Sequence, residues 1–219
     1  MKKNLICGFL FLLGLSSLQA QNGNGRREVL LSVGTNHSRF SEDIEGEADC
    51  LLCLLFGADV TLFQSGPVQF STGLNQTGTG SKYKSGEEGG EGGSYSFENK
   101  EVLNYLNIPV EARYEFGAGK IKPFVRGGGT FGLLLSAKSK TKANFNGNEN
   151  EDETDIKKQK KSTNLGLNLG GGVSFPLGKF HGVASVRYVI GLTNIVKDDR
   201  MPSAKTRDLS YTVGVALPF

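Results

Sequence analysis

The last eleven residues of the chain alternate strictly between two kinds of side chain. From Leu209 to Phe219, large apolar residues occupy the odd positions and small or weakly polar residues occupy the even positions. Because successive side chains of a strand point to opposite faces, this pattern predicts a strand with one apolar face. The backbone groups of a strand need partners on both edges, and the same pattern recurs upstream. We therefore predict a closed sheet.

The alternation predicts eight strands, and their connections follow a rule. The predicted ranges are 28–38, 52–63, 68–76, 102–116, 121–137, 163–177, 183–194 and 208–219. Three connections are short and contain Gly or Pro, which suits tight turns: 64–67, 117–120 and 178–182. The connections that alternate with them are long: 39–51, 77–101, 138–162 and 195–207.

Short periplasmic turns alternating with long extracellular loops are typical of outer-membrane barrels. The predicted fold class is all-β: an eight-stranded antiparallel up-and-down transmembrane β-barrel. One face of its strands carries no charge, which is expected of a surface in lipid, where a Lys or Arg at mid-bilayer costs about 2–4 kcal/mol. A lipocalin-like barrel would turn this apolar face inward, and the export signal described below favours the membrane version.

The opposite face of the strands carries three acidic and three basic residues: Asp59, Glu111, Glu115, Arg113, Arg126 and Arg187. An eight-stranded barrel has an interior just wide enough for its own side chains, and a buried charge persists only when it is paired. We therefore predict a structural ion-pair plug. A narrow porin-like channel along the same groups is the alternative.

The first residues predict the compartment. A basic start at Met1–Lys3, an apolar run from Ile6 to Leu15 and a small residue at Ala20 are typical of a secretory signal peptide. The apolar run is shorter than the roughly 20 residues that a spanning helix needs. We predict a signal peptide over 1–20, a barrel domain over 21–219, and export to the bacterial outer membrane.

Charge and composition exclude some partners. The formal net charge is +3, and removal of Lys2 and Lys3 with the signal would leave +1, which gives no indication of nucleic-acid binding. Two polar connections, 85–94 and 144–155, are rich in Gly, Asn and acidic residues. They are interpreted as solvated loops, with a surface for a cation, a polysaccharide or a protein partner as the alternative.

Several motifs suggest chemistry but lack its context. Gly127–Gly132 fits GxGxxG, yet the strand alternation continues after it, so no helix offers a phosphate site. Cys50 and Cys53 could form a disulfide, remain unpaired or act in redox chemistry; two cysteines without a nearby His are too few for zinc. We predict no metal and no cofactor.

An enzyme would need a nucleophile within reach of a base. The only histidines are His37 and His181, and Ser38, the neighbour of His37, points to the opposite strand face. We therefore predict no catalytic residues. An outer-membrane lipid-modifying enzyme is the second alternative to the binding function.

Four segments resemble the PorT-type outer-membrane β-barrel family of the Bacteroidota. They are Leu106–Tyr114, Lys122–Gly129, Gly166–Val173 and Val186–Ile195. The resemblance implies a small barrel without catalytic residues, and it implies that the terminal Phe219 is the signal that the outer-membrane assembly machinery reads. It also suggests a role accessory to secretion.

The sequence therefore predicts a small integral outer-membrane protein with a non-enzymatic structural or interaction role. Its expected partners are outer-membrane lipid, the assembly machinery, and a secretion-system or cell-surface component. A monomeric barrel is expected. Within the family-like run, Pro109 lies mid-strand and cannot donate a backbone hydrogen bond, so we predict a bulge or a non-hydrogen-bonded position there.

Overall fold

The computed structural model describes residues 27–42, 48–90, 93–145, 148–198, 200 and 202–219. The predicted signal peptide lies outside these residues. The described part forms nine strands: β1 Glu28–Glu42, β2 Ala48–Ser65, β3 Val68–Gly90, β4 Gly93–Glu115, β5 Lys122–Phe145, β6 Asn148–Asp155, β7 Thr163–Leu177, β8 Phe180–Gly191 and β9 Ala204–Pro218.

Eight of the strands close into a ring. Their order is β4-β3-β2-β1-β9-β8-β7-β5, and β5 pairs back onto β4. Every pairing is antiparallel, and each strand of the ring pairs with its neighbours in the chain once β6 is set aside. The predicted eight-stranded up-and-down barrel is confirmed.

The strands extend much further than predicted at one end of the barrel. β3 and β4 cover most of the predicted loop 77–101, and β5 with β6 covers most of 138–162. Thr77 to Ser81 at the base of β3 are buried in the barrel. Above them, the described side chains of these segments lack apolar alternation and are at least partly exposed on both faces. The backbone hydrogen bonds between neighbouring strands of the barrel continue upward into these segments. Charge pairs between neighbouring strands also stabilise them in the strand conformation. We call this projection, formed by β6 and the upper parts of β3, β4 and β5, the extracellular sheet.

An apolar belt surrounds the barrel, as predicted. The exposed side chains on the outer strand faces include Leu31, Val33, Leu54, Phe56, Val110, Val125, Leu133, Leu167, Leu169, Val186, Ile190, Val213 and Val215. No helix in the described residues has the length and apolarity that a membrane crossing requires.

The turns opposite the extracellular sheet are tight. Gly66, Gly117 and Gly178 occupy these three turns with φ of 58°, 78° and 64°, a conformation that favours glycine. Their place in the short connections marks this end as periplasmic.

Pro109 is accommodated without a bulge. The ladder between β3 and β4 pairs Thr72 with Val110, omits the next two positions and resumes at Asn75 and Asn107 in the same register. The carbonyl of Pro109 accepts a hydrogen bond from Thr72 Oγ1 at 2.8 Å. The missing N–H of proline therefore falls at a gap in the ladder, which is the second of the two predicted solutions.

The glycines of the GxGxxG motif lie inside β5, and no helix follows them. Gly128 points inward, where an added Cβ would overlap the carbonyl oxygen of Val110 and lie 2.8 Å from Cα of Glu111. An added Cβ at Gly129 would meet nothing nearer than the Gly166 carbonyl oxygen at 3.9 Å. The motif thus serves the close approach of β5 to β4.

Gly128→Ala is expected to lower the free energy of unfolding by about 1–3 kcal/mol, the usual cost of overpacking. The measurement is the temperature at which the folded band disappears on semi-native gels. Gly129→Ala is the matched control, because it changes the same residue type on the open outer face. Equal shifts for the two variants would contradict the close packing of β5 on β4.

Candidate functional site

A three-membered ion cluster crosses the lower half of the barrel interior. Glu111 in β4 places Oε2 2.9 Å from Arg126 Nη2 in β5, and its Oε1 lies 3.5 Å from Arg187 Nη1 in β8. The side chains of Glu111 and Arg126 are only 3% and 5% exposed. One buried carboxylate therefore bridges two guanidinium groups that come from different sides of the ring.

A second pair lies closer to the periplasmic end. Arg113 Nη2 donates a hydrogen bond to Glu115 Oε1 at 2.6 Å, and Lys122 Nζ lies 3.8 Å from Glu115 Oε2. The guanidinium carbon of Arg113 sits 3.7 Å from the centre of the Phe124 ring, within cation–π distance. This pair and the Glu111 cluster occupy two neighbouring levels of the interior.

Asp59, the sixth residue of the predicted plug, is hydrogen-bonded to a side-chain amide. Its Oδ1 accepts a hydrogen bond from Asn75 Nδ2 at 3.2 Å. Together with Glu111, Arg113 and Arg126 it lines a cavity of about 20 Å³. That volume holds one or two water molecules. All six residues of the predicted plug thus face the interior of the lower barrel.

Sequence reasoning missed a further interior acid, Asp208. Its Oδ1 accepts hydrogen bonds from Asn36 Nδ2 at 3.0 Å and from Thr79 Oγ1 at 2.6 Å. Ser210 Oγ donates to Asn36 Oδ1 at 2.8 Å and extends this network. The inward residues of β9 have even numbers, and this pattern would have identified Asp208 as an interior residue. Asp208 lines a second cavity, of about 40 Å³, in the upper barrel.

An apolar cluster covers the extracellular end of the interior. Its members come from the upper strands and from the connections before β7 and before β9: Phe40, Leu103, Tyr105, Leu134, Ala137, Ile156, Ile195, Val196 and Ala204. We call it the apolar cap. Backbone hydrogen bonds fix the two connections in the apolar cap. The Ile156 N–H donates to the Ala137 carbonyl at 3.0 Å, and the Ile195 N–H donates to the Ala204 carbonyl at 2.9 Å. Phe40, Ile156, Ile195, Val196 and Ala204 lie in connections that were predicted as loops, so the alternation pattern did not indicate the cap.

A ladder of charges stabilises the extracellular sheet. Lys140 Nζ lies 2.8 Å from Glu153 Oε2, and Lys142 Nζ lies 3.3 Å from Glu151 Oε2. Lys138 also pairs with Glu153. Hydrogen bonds from Lys138 and Lys140 lower the pKa of Glu153 to about 2. Lysines of β5 thus neutralise Glu151 and Glu153 of the acidic connection 144–155.

The Glu153 carboxyl is expected to titrate near pH 2 in an NMR titration of the folded protein in micelles. Its pKa is depressed from an ordinary value of 4.5, so its contribution to the β5–β6 pairing is present above pH 4.5 and is lost as the pH falls through about 2. Lys140→Gln should move the midpoint upward, because one donor is lost. A wild-type midpoint near 4.5 would contradict the ladder.

The remaining residues singled out in the sequence take no part in these ion pairs. Cys50 and Cys53 are free thiols in β2, and no disulfide joins them. Both lie within the continuous strand, where residues three apart point to opposite faces. His37 packs edge-on against Tyr211 with ring centres 5.8 Å apart. Phe219 is exposed, and its N–H donates to the Arg27 carbonyl.

Clusters of three or more metal-ligating side chains are absent from the described residues. The candidate functional regions are the interior with its ion pairs, the apolar cap and the charged extracellular sheet.

The closed ring, the outward apolar belt and the filled interior define a small integral outer-membrane β-barrel protein. The family profile of the outer membrane protein beta-barrel domain matches residues 19–197, and the chain belongs to this family. The protein is accordingly located in the bacterial outer membrane. None of the curated proteins is significantly similar to it.

The chain is also similar to solved structures over most of its length. Neisserial surface protein A is 14% identical, with a TM-score of 0.45 and coverage of 87% of this chain and 97% of its own. The attachment invasion locus protein Ail of Yersinia pestis is 15% identical, with a TM-score of 0.35 and coverage of 90% and 100%. The outer membrane enzyme PagL is 14% identical, with a TM-score of 0.37 and coverage of 88% and 99%.

Proposed function

We propose that this protein is a non-enzymatic interaction protein of the cell surface, in which a sealed barrel anchors the extracellular sheet and that sheet binds a partner. The observation that carries the proposal is the contrast between the two ends. The interior is filled by the Glu111 cluster and covered by the apolar cap, whereas the strands continue into the medium as an ordered sheet. This contrast supports a function at the external surface rather than transport through the barrel.

The edge of the extracellular sheet supplies a binding mode. Within the described part of the chain, β6 pairs with β5 alone, so its other edge presents unpaired backbone N–H and C=O groups. Such an edge is a template for strand addition by another chain. Glu151 and Glu153 of β6 pair with lysines of β5, while Asp152 on the opposite face is exposed. A polypeptide strand with basic or polar side chains fits this edge.

The contacts of the histidines support a non-enzymatic role. His37 faces outward against Tyr211, and the residues two positions away on the same strand face are Thr35 and Arg39. His181 lies opposite Pro176 near the periplasmic end of β8, at the other membrane surface. The two imidazoles therefore cannot combine in one site.

The finer assignment to the PorT-type family is part of the proposal. It is supported by the four sequence segments, which fall in β4, β5, β7 and β8 and run into the connection after β8. A role accessory to secretion would place the partner against the barrel wall in the membrane. A cell-surface role places it on the extracellular sheet.

Photo-crosslinking in intact cells distinguishes these positions. A photoreactive residue in place of Asp152 is expected to give a discrete adduct with a surface protein, whereas the same residue in place of Leu167 in the apolar belt should give lipid adducts only. A protein adduct from position 167 and none from 152 would overturn the cell-surface role and favour an embedded assembly.

Two further measurements test the sealed, non-enzymatic barrel. Purified protein in planar bilayers is expected to conduct no ions above the background of a protein-free bilayer. The mass spectrum of lipid A from cells that express the protein should equal that of cells without it. Steady currents, or a new lipid A species, would replace the proposal by the channel or by the lipid-modifying enzyme.

A further inference from the structure

Two arginines face each other on the outer surface of the barrel. Arg39 in β1 and Arg207 in β9 are directly opposite partners in the antiparallel register. Their chain neighbours Ser38, Thr206 and Asp208 are buried inside the barrel. Since side chains alternate along a strand, both arginines point outward.

This arrangement is electrostatically unfavourable by itself. Like charges on directly opposite residues of neighbouring strands destabilise a sheet. Arg207 Nη1 donates to the carbonyls of Gly191 at 3.2 Å and Thr206 at 3.3 Å. Carboxylates of the described residues form no ion pair with either arginine, nor with Lys205, which lies one outward position above Arg207.

The lysines of the extracellular sheet show the contrast. Lys82 Nζ lies 2.8 Å from Glu98 Oε2, and Lys140 lies at the same distance from Glu153. There the chain supplies the counter-charges itself. No carboxylate of the described residues supplies a counter-charge at Arg39 and Arg207.

The height of the two arginines on the barrel indicates which kind of molecule contacts them. Arg207 is level with Ile190 of β8, and Leu209, the next outward residue below it in β9, pairs with His37 in β1. Ile190 and its neighbour Leu192 belong to the upper edge of the exposed apolar surface. The arginines therefore lie where hydrocarbon gives way to headgroups, at the extracellular end of the barrel. A molecule that contacts an outward position at this height is a lipid of the outer leaflet.

We propose that Arg39 and Arg207 form a binding site for a phosphate group of lipid A, the phosphorylated glycolipid of the outer leaflet. The planar guanidinium group binds phosphate through two parallel N–H···O bonds, and two guanidinium groups on one face can share a single phosphate. Lys205 adds a third positive charge above them. The bound phosphate removes the repulsion between the two arginines, and the acyl chains of the same lipid lie along the apolar belt below.

Native mass spectrometry of the detergent-solubilised, folded protein tests this site. Wild-type protein is expected to retain bisphosphorylated lipid A at least tenfold better than chemically dephosphorylated lipid A or phosphatidylglycerol. The variant Arg39→Gln/Arg207→Gln should lose that preference. Arg39→Lys/Arg207→Lys should keep part of it, because lysine supplies the charge without the bidentate geometry.

A matched control removes the same charge from the other membrane surface. Lys120→Gln/Lys179→Gln changes two exposed lysines of the periplasmic turns and should bind lipid A like the wild type. Equal retention of phosphorylated and dephosphorylated lipid A by the wild type would overturn the proposal, and this comparison needs no variant to fold. Equal losses in the arginine and lysine variants would overturn it too, since binding would then follow net charge alone. Inorganic phosphate that displaces lipid A at equal concentration would show a free-anion site instead.

Discussion

Replacement of Glu111 by Leu is expected to lower the free energy of unfolding by about 3–5 kcal/mol, the usual cost of breaking a buried ion pair by removing one partner. Glu111 is the only carboxylate that the described contacts place between Arg126 and Arg187. Without it, two buried guanidinium groups repel each other in an interior with little room for water. The midpoint of urea unfolding in lipid vesicles, followed by gel mobility, measures the change.

A double variant separates lost pairing from lost packing. Glu111→Leu/Arg126→Leu removes one acid and one base, so it should recover part of the loss, although Arg187 still loses its partner. Glu153→Gln breaks an ion pair of similar length on the exposed extracellular sheet and should change stability little, because water screens that pair. If Glu111→Leu were as mild as Glu153→Gln, the interior cluster would contribute nothing to the barrel.

Most of what the sequence could predict came from the period-two alternation of apolar and polar residues. It assigned Glu111, Arg126 and Arg187 to one face, and the closed ring brings them together because a small barrel offers its inward side chains only one another. Strand count, order and the short glycine turns follow from the same pattern. Pairing partners were harder to predict, since parity gives the face of a residue and not its depth. Parity therefore could not predict that Asp59 and Asn75 lie at the same depth in the barrel and form a hydrogen bond.

The parts that were not predicted have physical reasons. The apolar cap depends on Ile156 and Ile195, single apolar residues in polar connections without any periodicity. The extracellular sheet has water on both sides, so it needs no apolar face. Ladder hydrogen bonds stabilise it, and each exposed pair such as Lys140 with Glu153 adds little. Such strands leave no hydrophobic pattern to read. The proposed partner-binding edge lies in the extracellular sheet, which explains why the sequence predicted the barrel better than its function.

Val213→Arg tests the other half of the architecture, the outward apolar belt. Val213 is 60% exposed and lies midway along β9, level with Val33 in β1 and Ala184 in β8. A charge on the lipid face near the bilayer midplane is expected to cost about 2–4 kcal/mol of folding free energy and to reduce the yield of folded protein in vesicles. Thr163→Arg places the same side chain near the extracellular boundary, where the cost falls to about 0–1 kcal/mol.

A second substitution at Val213 decides which way the belt faces. Arginine would also be harmful if this residue pointed into a packed core, but phenylalanine would behave differently in the two cases. In lipid, Val213→Phe only enlarges a side chain that fluid acyl chains surround, so stability should stay within error of the wild type. In a core of fixed volume the same change would cost about 1–3 kcal/mol through overpacking. Tolerance of Phe with intolerance of Arg is therefore the result expected for a surface in the membrane, and loss of stability in both variants would contradict it.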